Sequence, residues 1–176
     1  ICVTGSNGKT TTTLLITHLL NNAGLSAKAV GNVGESYAMS VAIDPPDYQV
    51  IELSSFQLDF MFSFKADIAL LLNITPDHLD RYQNSFDLYV NSKFRITQNM
   101  TVNDHFIYNY DDPVIKEALA KRNLECQTHP VSIFQKDGVD SWLDKESIII
   151  KINNQKQTIM SIHQLAQQGK HNVFNS

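Results

Sequence analysis

The segment Thr4-Gly5-Ser6-Asn7-Gly8-Lys9-Thr10 puts two glycines, a lysine and two threonine hydroxyls into one short stretch, a combination suited to binding phosphate. Glycines let the backbone curl so that N–H groups converge on phosphate oxygens, and a helix starting just beyond adds partial positive charge. Lys9 can bridge the β- and γ-phosphates of ATP, and Thr10 can place its hydroxyl on Mg²⁺. The expected ATP contacts are therefore Gly5, Ser6, Asn7, Gly8, Lys9, Thr10 and Thr11. The first glycine of the general G-x-x-x-x-G-K-[ST] pattern is missing, since Val3 stands five residues before Gly8. A bare G-x-x-G-K-T also fits a surface turn. Here the loop sits between an apolar strand and a helix, and the tract Thr10-Thr11-Thr12-Thr13 follows it.

More chemistry stands at the ends of apolar runs. In open α/β sheets the carboxyl ends of the strands line the ligand crevice. Glu52 ends the run Tyr48–Leu53, and Asn73 ends the run Asp67–Ile74. A lone Glu at a strand end is usually solvated or salt-bridged, but beside a phosphate loop it suits Mg²⁺, which takes carboxylate and phosphate oxygens together. His78 follows Thr75-Pro76-Asp77 in the next loop. Of the other histidines, His18 falls on the first helix, and His105, His129 and His163 fall in or beside strands with no matching partners expected. His171 stands apart with His78 because of its neighbours.

The elements that must carry these groups follow from periodicity. Ile1–Val3 reads as a strand and Thr10–Asn22 as a helix, with Leu15/Leu19 and Ile16/Leu20 at i,i+4 and Gly24 as its stop. Ala27–Val30 reads as a strand ending at Gly31-Asn32-Val33-Gly34, then a short helix through Ala42 closed by Pro45 and Pro46. The two apolar runs suit strands covered on both faces. Between them Ser54–Phe64 reads as a turn plus a helical segment. A helix over Ser85–Gln98, a strand over His105–Tyr110, a helix over Asp112–Lys121 and a strand over Gln127–Phe134 follow. Ser147–Ile152 and Gln155–Ile162 read as a β-hairpin turning at Asn153-Asn154. The fold class expected is α/β: a doubly wound, mostly parallel sheet of the P-loop type with a hairpin near the C-terminus.

Composition bounds the rest. The 176 residues, 43% of them hydrophobic, can bury one substantial core, so a single domain is expected. A net charge of −4 gives no long-range attraction for nucleic acid or an anionic membrane, so phosphate binding must be local. The two cysteines, Cys2 and Cys126, form no C-x-x-C, which fits buried thiols in a reducing, cytoplasmic setting. No apolar run reaches the roughly 18 residues needed to span a bilayer. The chain opens at Ile1 inside a strand and stops at Ser176 just after a helix start, so a piece of a longer protein is expected.

The segments Thr4–Thr11, Gly31–Gly34, Glu52-Leu53-Ser54-Ser55-Phe56-Gln57-Leu58, Leu72–Tyr82, Ser92-Lys93-Phe94-Arg95-Ile96 and Gly169-Lys170-His171-Asn172-Val173-Phe174-Asn175 occur together in this order. This set resembles the central ATPase domain of the Mur ligases, the cytoplasmic enzymes that build the peptidoglycan stem peptide. The E-L-S-S-F-Q-L and D-H-L-D-R-Y wording is most similar to the D-glutamate-adding branch. The resemblance implies that residues 1–176 are the central domain, flanked in the family by an N-terminal UDP-binding and a C-terminal amino-acid-binding domain. It implies ATP and two Mg²⁺ ions (Mn²⁺ as a substitute), with UDP-MurNAc-L-Ala and D-Glu as small-molecule substrates of a monomer. Lys9, His78 and Lys93 become the catalytic set. Thr10 and Glu52 hold one Mg²⁺, and His78 and Lys93 serve the second, Lys93 through an ε-carbamate. Asn32 and His78 face the reacting carboxylate, Ser54 and Gln57 lie toward the substrate, and Asn172 and Asn175 contact the nucleotide. The isolated piece is expected to bind nucleotide weakly and ligate little. Two alternatives remain open: another Mur or folylpolyglutamate synthase-like ligase, or a P-loop NTPase or regulatory module that ligates nothing.

Overall fold

A computed structural model describes residues 1–152 and 155–164 of the chain. The elements run β1 (Cys2–Thr4), α1 (Lys9–Asn22), β2 (Ala27–Gly31), α2 (Tyr37–Ile43), β3 (Tyr48–Glu52), α3 (Ser55–Asp59) and β4 (Ile68–Leu71). They continue with α4 (Phe86–Phe94), β5 (His105–Asn109), α5 (Pro113–Ala120), β6 (Gln127–Ser132), β7 (Ser141–Asp144), β8 (Ser147–Ile152) and β9 (Gln155–Ser161). All nine strands form one sheet in the order β2-β3-β1-β4-β5-β6-β7-β8-β9. Strands β1 to β7 pair in parallel, while β8 and β9 add on antiparallel. The expected doubly wound α/β sheet with a terminal hairpin is what forms.

Local sequence explains the elements that matter to the site. β3 buries Val50, Ile51 and Glu52 in succession, the signature of a strand covered on both faces. α4 begins where the Ser85 hydroxyl accepts from Leu88 N–H, and α5 where Asp112 caps Val114 and Ile115 just ahead of Pro113. The main core gathers Val30, Ile51, Leu58, Leu71, Tyr89, Phe94 and Phe106 beneath α3, α4 and α5. Burying a side chain such as Leu58 or Phe106 contributes about 1.5–3 kcal/mol. Because β3, β1 and β4 are consecutive neighbours in the sheet, their carboxyl ends bring the loops after Glu52, Thr4 and Leu71 side by side.

Several expectations are corrected. The apolar run Asp67–Ile74 is strand only over Ile68–Leu71, because residues 72–75 leave the sheet to grip the phosphate loop. The helix expected over Ser85–Gln98 is α-helical to Phe94 and then tightens to a 3₁₀ turn, Arg95–Thr97. A second 3₁₀ turn, Leu79–Tyr82, and the strand β7 were not expected, both being four residues with too little pattern to read. The histidines do have partners. His105 Nδ1 lies 2.9 Å from His129 Nε2, His129 Nδ1 lies 2.8 Å from Asp140, and His163 lies 3.2 Å from Glu146. Those partners sit on neighbouring strands or turns, which spacing along one chain cannot reveal. The Asn153-Asn154 turn lies outside the described residues.

Both cysteines are buried and unpaired, and burial pushes the Cys2 thiol up to about 11. Among the described residues no helix is long and apolar enough to cross a membrane.

Candidate nucleotide and metal site

Gly8 stands at the head of α1 with φ 83°, a left-handed conformation that glycine adopts without penalty. No side chain caps this helix, and its first internal bond runs from Thr12 N–H to Gly8 O at 3.0 Å. The amides of Lys9, Thr10 and Thr11 thus form an uncapped helix start suited to an anion. The loop before it is fastened to the loop after β4. Ser6 N–H donates to Asn73 O at 2.9 Å, and Asn7 N–H donates to Asn73 Oδ1 at 2.8 Å. Asn73 Nδ2 returns a bond to Asn7 O at 3.0 Å. The Ser6 hydroxyl donates to Thr75 O and accepts Thr75 N–H, both at 2.9 Å, and meets Tyr89 Oη at 3.0 Å. Ser6 and Asn7, expected on ATP, therefore hold the loop's shape with the groups they were expected to offer phosphate.

Two lysines converge on this loop. Lys9 Nζ folds back to donate to Gly5 O at 3.0 Å and Ser6 O at 2.9 Å. Burial lowers its pKa from the ordinary lysine value, while Glu52 and Asp77 act against that. Lys93 comes from the opposite side, on α4, and is only 1% exposed. Its Nζ donates to Gly5 O at 2.8 Å and to Thr4 Oγ1 at 3.3 Å, and the Thr4 hydroxyl itself donates to Leu53 O. Burial first, then the Lys9 cation, push the Lys93 amine down to about 7. An exposed helix lysine would behave otherwise. Near neutral pH a large fraction of Lys93 is an uncharged amine, the form able to act as a nucleophile.

Glu52 is 1% exposed and is held through both oxygens. Thr10 Oγ1 donates to Oε2 and Asn32 Nδ2 donates to Oε1, each at 2.8 Å. Asn32 is brought there by a close approach of β2 to β3. At Gly31, with φ 100°, an added Cβ would lie 2.5 Å from Glu52 O, and Asn32 N–H bonds that same oxygen at 3.0 Å. Among the described residues no group of three or more His, Cys, Asp and Glu side chains could hold a metal ion unaided. The pair Thr10 and Glu52 instead fits an ion that completes its oxygen shell from phosphate and water, as Mg²⁺ does.

The other predicted residues are more dispersed. His78 has φ 49° and heads the 3₁₀ turn Leu79–Tyr82. Its ring lies edge-on to Phe56 at 5.3 Å and its Nε2 is 3.5 Å from Asp77. Among the described residues no recorded contact joins His78 to Glu52 or Lys93. Ser54 and Gln57 form a capping box on α3, with Gln57 Oε1 accepting Ser54 N–H at 2.8 Å. Asn172 and Asn175 lie outside the described residues. Sequence reasoning missed the gripping residues Thr75 and Tyr89, and named Asn73 only as a strand end. Tyr89 sits four residues before Lys93 on the same helix, so the spacing was present but had no meaning without the fold.

Comparisons with known proteins identify the family. Residues 3–176 match the family model described as the Mur ligase middle domain. The chain is 49% identical over 176 residues to UDP-N-acetylmuramoylalanine–D-glutamate ligase of Bacteroides fragilis, and 48% identical to the enzyme of the same name from Bacteroides thetaiotaomicron. Both alignments cover the whole of this chain but 39% of those proteins, so the chain spans about two fifths of the length of the relatives it matches. Among solved structures, a UDP-N-acetylmuramoyl-L-alanyl-D-glutamate–2,6-diaminopimelate ligase superposes with a TM-score of 0.73 at 21% identity, covering 99% of this chain and 40% of that one. MurF ligase from Thermotoga maritima, solved in complex with ADP, superposes with a TM-score of 0.65 at 20% identity, covering 99% of this chain and 42% of that one. At those identities the superpositions speak for the fold alone. With a family model covering nearly its whole length, the chain belongs to the Mur ligase family and corresponds to its middle domain.

Proposed function

We propose that this chain is the ATP- and Mg²⁺-binding domain of a cytoplasmic ligase that adds D-glutamate to UDP-N-acetylmuramoyl-L-alanine. The observation that carries the reading is the meeting of Lys9 and Lys93 on Gly5 O beside a buried Glu52 held by Thr10 and Asn32. The substrates come from the names of the relatives that are 45–49% identical. In this proposal the L-Ala carboxylate attacks the γ-phosphoryl group of ATP, giving an acyl phosphate and ADP. The D-Glu amine then attacks the acyl carbon, and phosphate leaves as the amide forms and the amine sheds its proton. A carboxylate is a poor electrophile, and phosphorylation supplies its leaving group.

The uncapped start of α1 and Lys9 bind and orient the phosphates, while Glu52 with Thr10 would hold a divalent cation. When bound, that cation neutralises the crowded phosphate and carboxylate oxygens. Asn32 orients the Glu52 carboxylate and lies toward the substrate, and His78 belongs near the second ion. Lys93 is the seat of an ε-carbamate. Its neutral amine adds to carbon dioxide and loses a proton, so a buried cation facing Lys9 becomes an oxygen-bearing anion. The flanking UDP-binding and amino-acid-binding domains of the full-length protein complete the site, and the 176 residues alone ligate little.

The test uses full-length protein with UDP-MurNAc-L-Ala and a panel of amino acids, following ADP and phosphate release. D-Glu should be the preferred amine, and preference for another amino acid refutes the assignment. Lys93→Ala should abolish ligation and recover part of it with an added short carboxylate. A protein that hydrolyses nucleotide without an acceptor, indifferent to Lys93, is a different kind of NTPase. Mass spectrometry of Lys93 in bicarbonate buffer reads the carbamate directly.

A further inference from the structure

The polar groups that fasten the phosphate loop lead one step outward, to a carboxylate that no sequence motif marked. Asn73 and Thr75 grip Ser6 and Asn7, and the residue between them is Ile74. Ile74 N–H donates to Asp112 Oδ2 at 2.8 Å. The other oxygen of Asp112 accepts Val114 N–H at 2.9 Å and Ile115 N–H at 3.1 Å, capping α5. Asp112 is only 9% exposed, so this bond is made largely out of water. Its neighbour Asp111 reaches the other way: it accepts Ser132 Oγ–H at 2.6 Å and Ile133 N–H at 2.8 Å, at the end of β6. Two successive carboxylates therefore join the loops after β4, β5 and β6, and only Asp112 bears on the phosphate loop.

We propose that Asp112 is a positioning residue for nucleotide binding: through Ile74 it fixes Asn73 and Thr75, and through them the arc of Gly5–Gly8. The proposal rests on the reading of that loop as a nucleotide site. Asp112 itself touches no nucleotide. A carboxylate is required because three N–H groups approach from two directions, and only a side chain with two acceptor oxygens serves both. Aspartate also accepts with full negative charge, which strengthens each bond over a neutral acceptor.

Asparagine separates the two duties. It caps helices about as well as aspartate. With its oxygen on Val114 and Ile115, its amide would present hydrogens to Ile74 N–H, two donors facing each other. Asp112→Asn thus keeps α5 and releases the loop after β4. Asp111→Asn is the control, breaking a comparable link away from the phosphate loop.

The experiment compares full-length wild type, Asp112→Asn and Asp111→Asn by ATP titration, thermal unfolding and amide hydrogen exchange. Asp112→Asn should weaken ATP binding about tenfold, the loss of roughly one charge-assisted hydrogen bond. Exchange should quicken across 5–8 and 73–75, while KM for the carboxylate substrate stays unchanged. Both variants should lower thermal stability by similar amounts, while Asp111→Asn leaves ATP affinity within about twofold. Equal effects of the two variants on ATP affinity, or unaltered exchange at 5–8 in Asp112→Asn, overturn the proposal. Should Asp112→Asn fold poorly, Asp112→Ser retains a capping oxygen without the second acceptor and is held to the same outcomes. If wild type binds no ATP, the nucleotide reading falls, and exchange at 5–8 still decides whether Asp112 holds the loop.

Discussion

The two ends of the sheet are built differently. Around β1, β3 and β4 the polar groups at the strand ends are joined loop to loop: Asn7 with Asn73, Ser6 with Thr75, Thr10 and Asn32 with Glu52. From β6 to β9 a hairpin extends the sheet, and a small cluster of Val139, Trp142 and Ile149 replaces the main core. A groove of about 380 Å³ lies there, lined by Thr12 and Ile16 of α1 and by Leu70, Ile107, Val131 and Trp142. Among the described residues, Thr12 Oγ1 and Trp142 Nε1 are buried there without a hydrogen-bond partner. Loop-to-loop polar links therefore mark the chemical end, whereas the groove keeps two buried polar atoms without a partner among the described residues. Substitutions at the first should harm activity out of proportion to stability.

The sharpest way to break that contrast is Glu52→Gln. Gln keeps the volume and one acceptor but removes the charge that would hold a divalent cation in the proposed site. In full-length protein, turnover measured by ADP release should fall about 10²–10³-fold, the usual size for removing one electrostatic stabiliser. The unfolding midpoint should move little. Near-normal turnover would mean that the carboxylate between Thr10 and Asn32 is structural.

Gly31→Ala tests whether backbone approach, as well as charge, builds the site. The new Cβ would lie 2.5 Å from Glu52 O at a φ of 100°. β2 and β3 must separate, costing about 1–3 kcal/mol by denaturant unfolding. Metal-dependent ATP binding should weaken too, because Asn32 moves with β2. Loss of stability alone would uncouple the strand approach from the site.

A smaller effect comes from pH. Lys93 sits at about 7 when folded, against an ordinary lysine value of 10.5. Between those values the unfolded chain holds a proton that the folded chain lacks, so stability rises with pH across that window. Below about 7 both states are protonated, the contribution levels off, and the folded state carries the full penalty of a buried cation. The slope reaches at most about 1.4 kcal/mol per pH unit for one proton. Urea unfolding in carbonate-free buffer should show this rise in wild type and a flatter profile in Lys93→Met.

How much of this was legible depended on whether a feature was local. The loop Gly5–Thr10, the apolar strands and the helix start at Ser85 are short-range patterns, and a single chain displays them. Glu52 could be read as a ligand because strand ends have a fixed meaning in α/β sheets. Partnerships across the sheet could not be read. Ser6 with Thr75, Asp112 with Ile74 and His105 with His129 join residues 24 to 69 positions apart, and only the strand order makes them neighbours. The burial of Lys93 was likewise invisible, since a lysine on a helix is ordinarily exposed.

Trp142→Phe probes the other side of the comparison with the least expected effect. The ring is 4% exposed, and its N–H has no partner among the described residues. Phe gives up some buried area but also removes an unpaired donor, and the two terms oppose. In the 176-residue chain stability should change by less than about 1 kcal/mol, because no hydrogen bond is lost. ATP affinity should not change, since among the described residues no hydrogen bond links Trp142 to Ser6 or Asn7. A chain spanning the relatives' full length makes the comparison sharper. There, a loss of about 1–3 kcal/mol with the same substitution would mean the indole N–H has gained an acceptor. The groove would then be closed by polar contact as the phosphate loop is, and the difference between the two ends would belong to these 176 residues rather than to the whole fold.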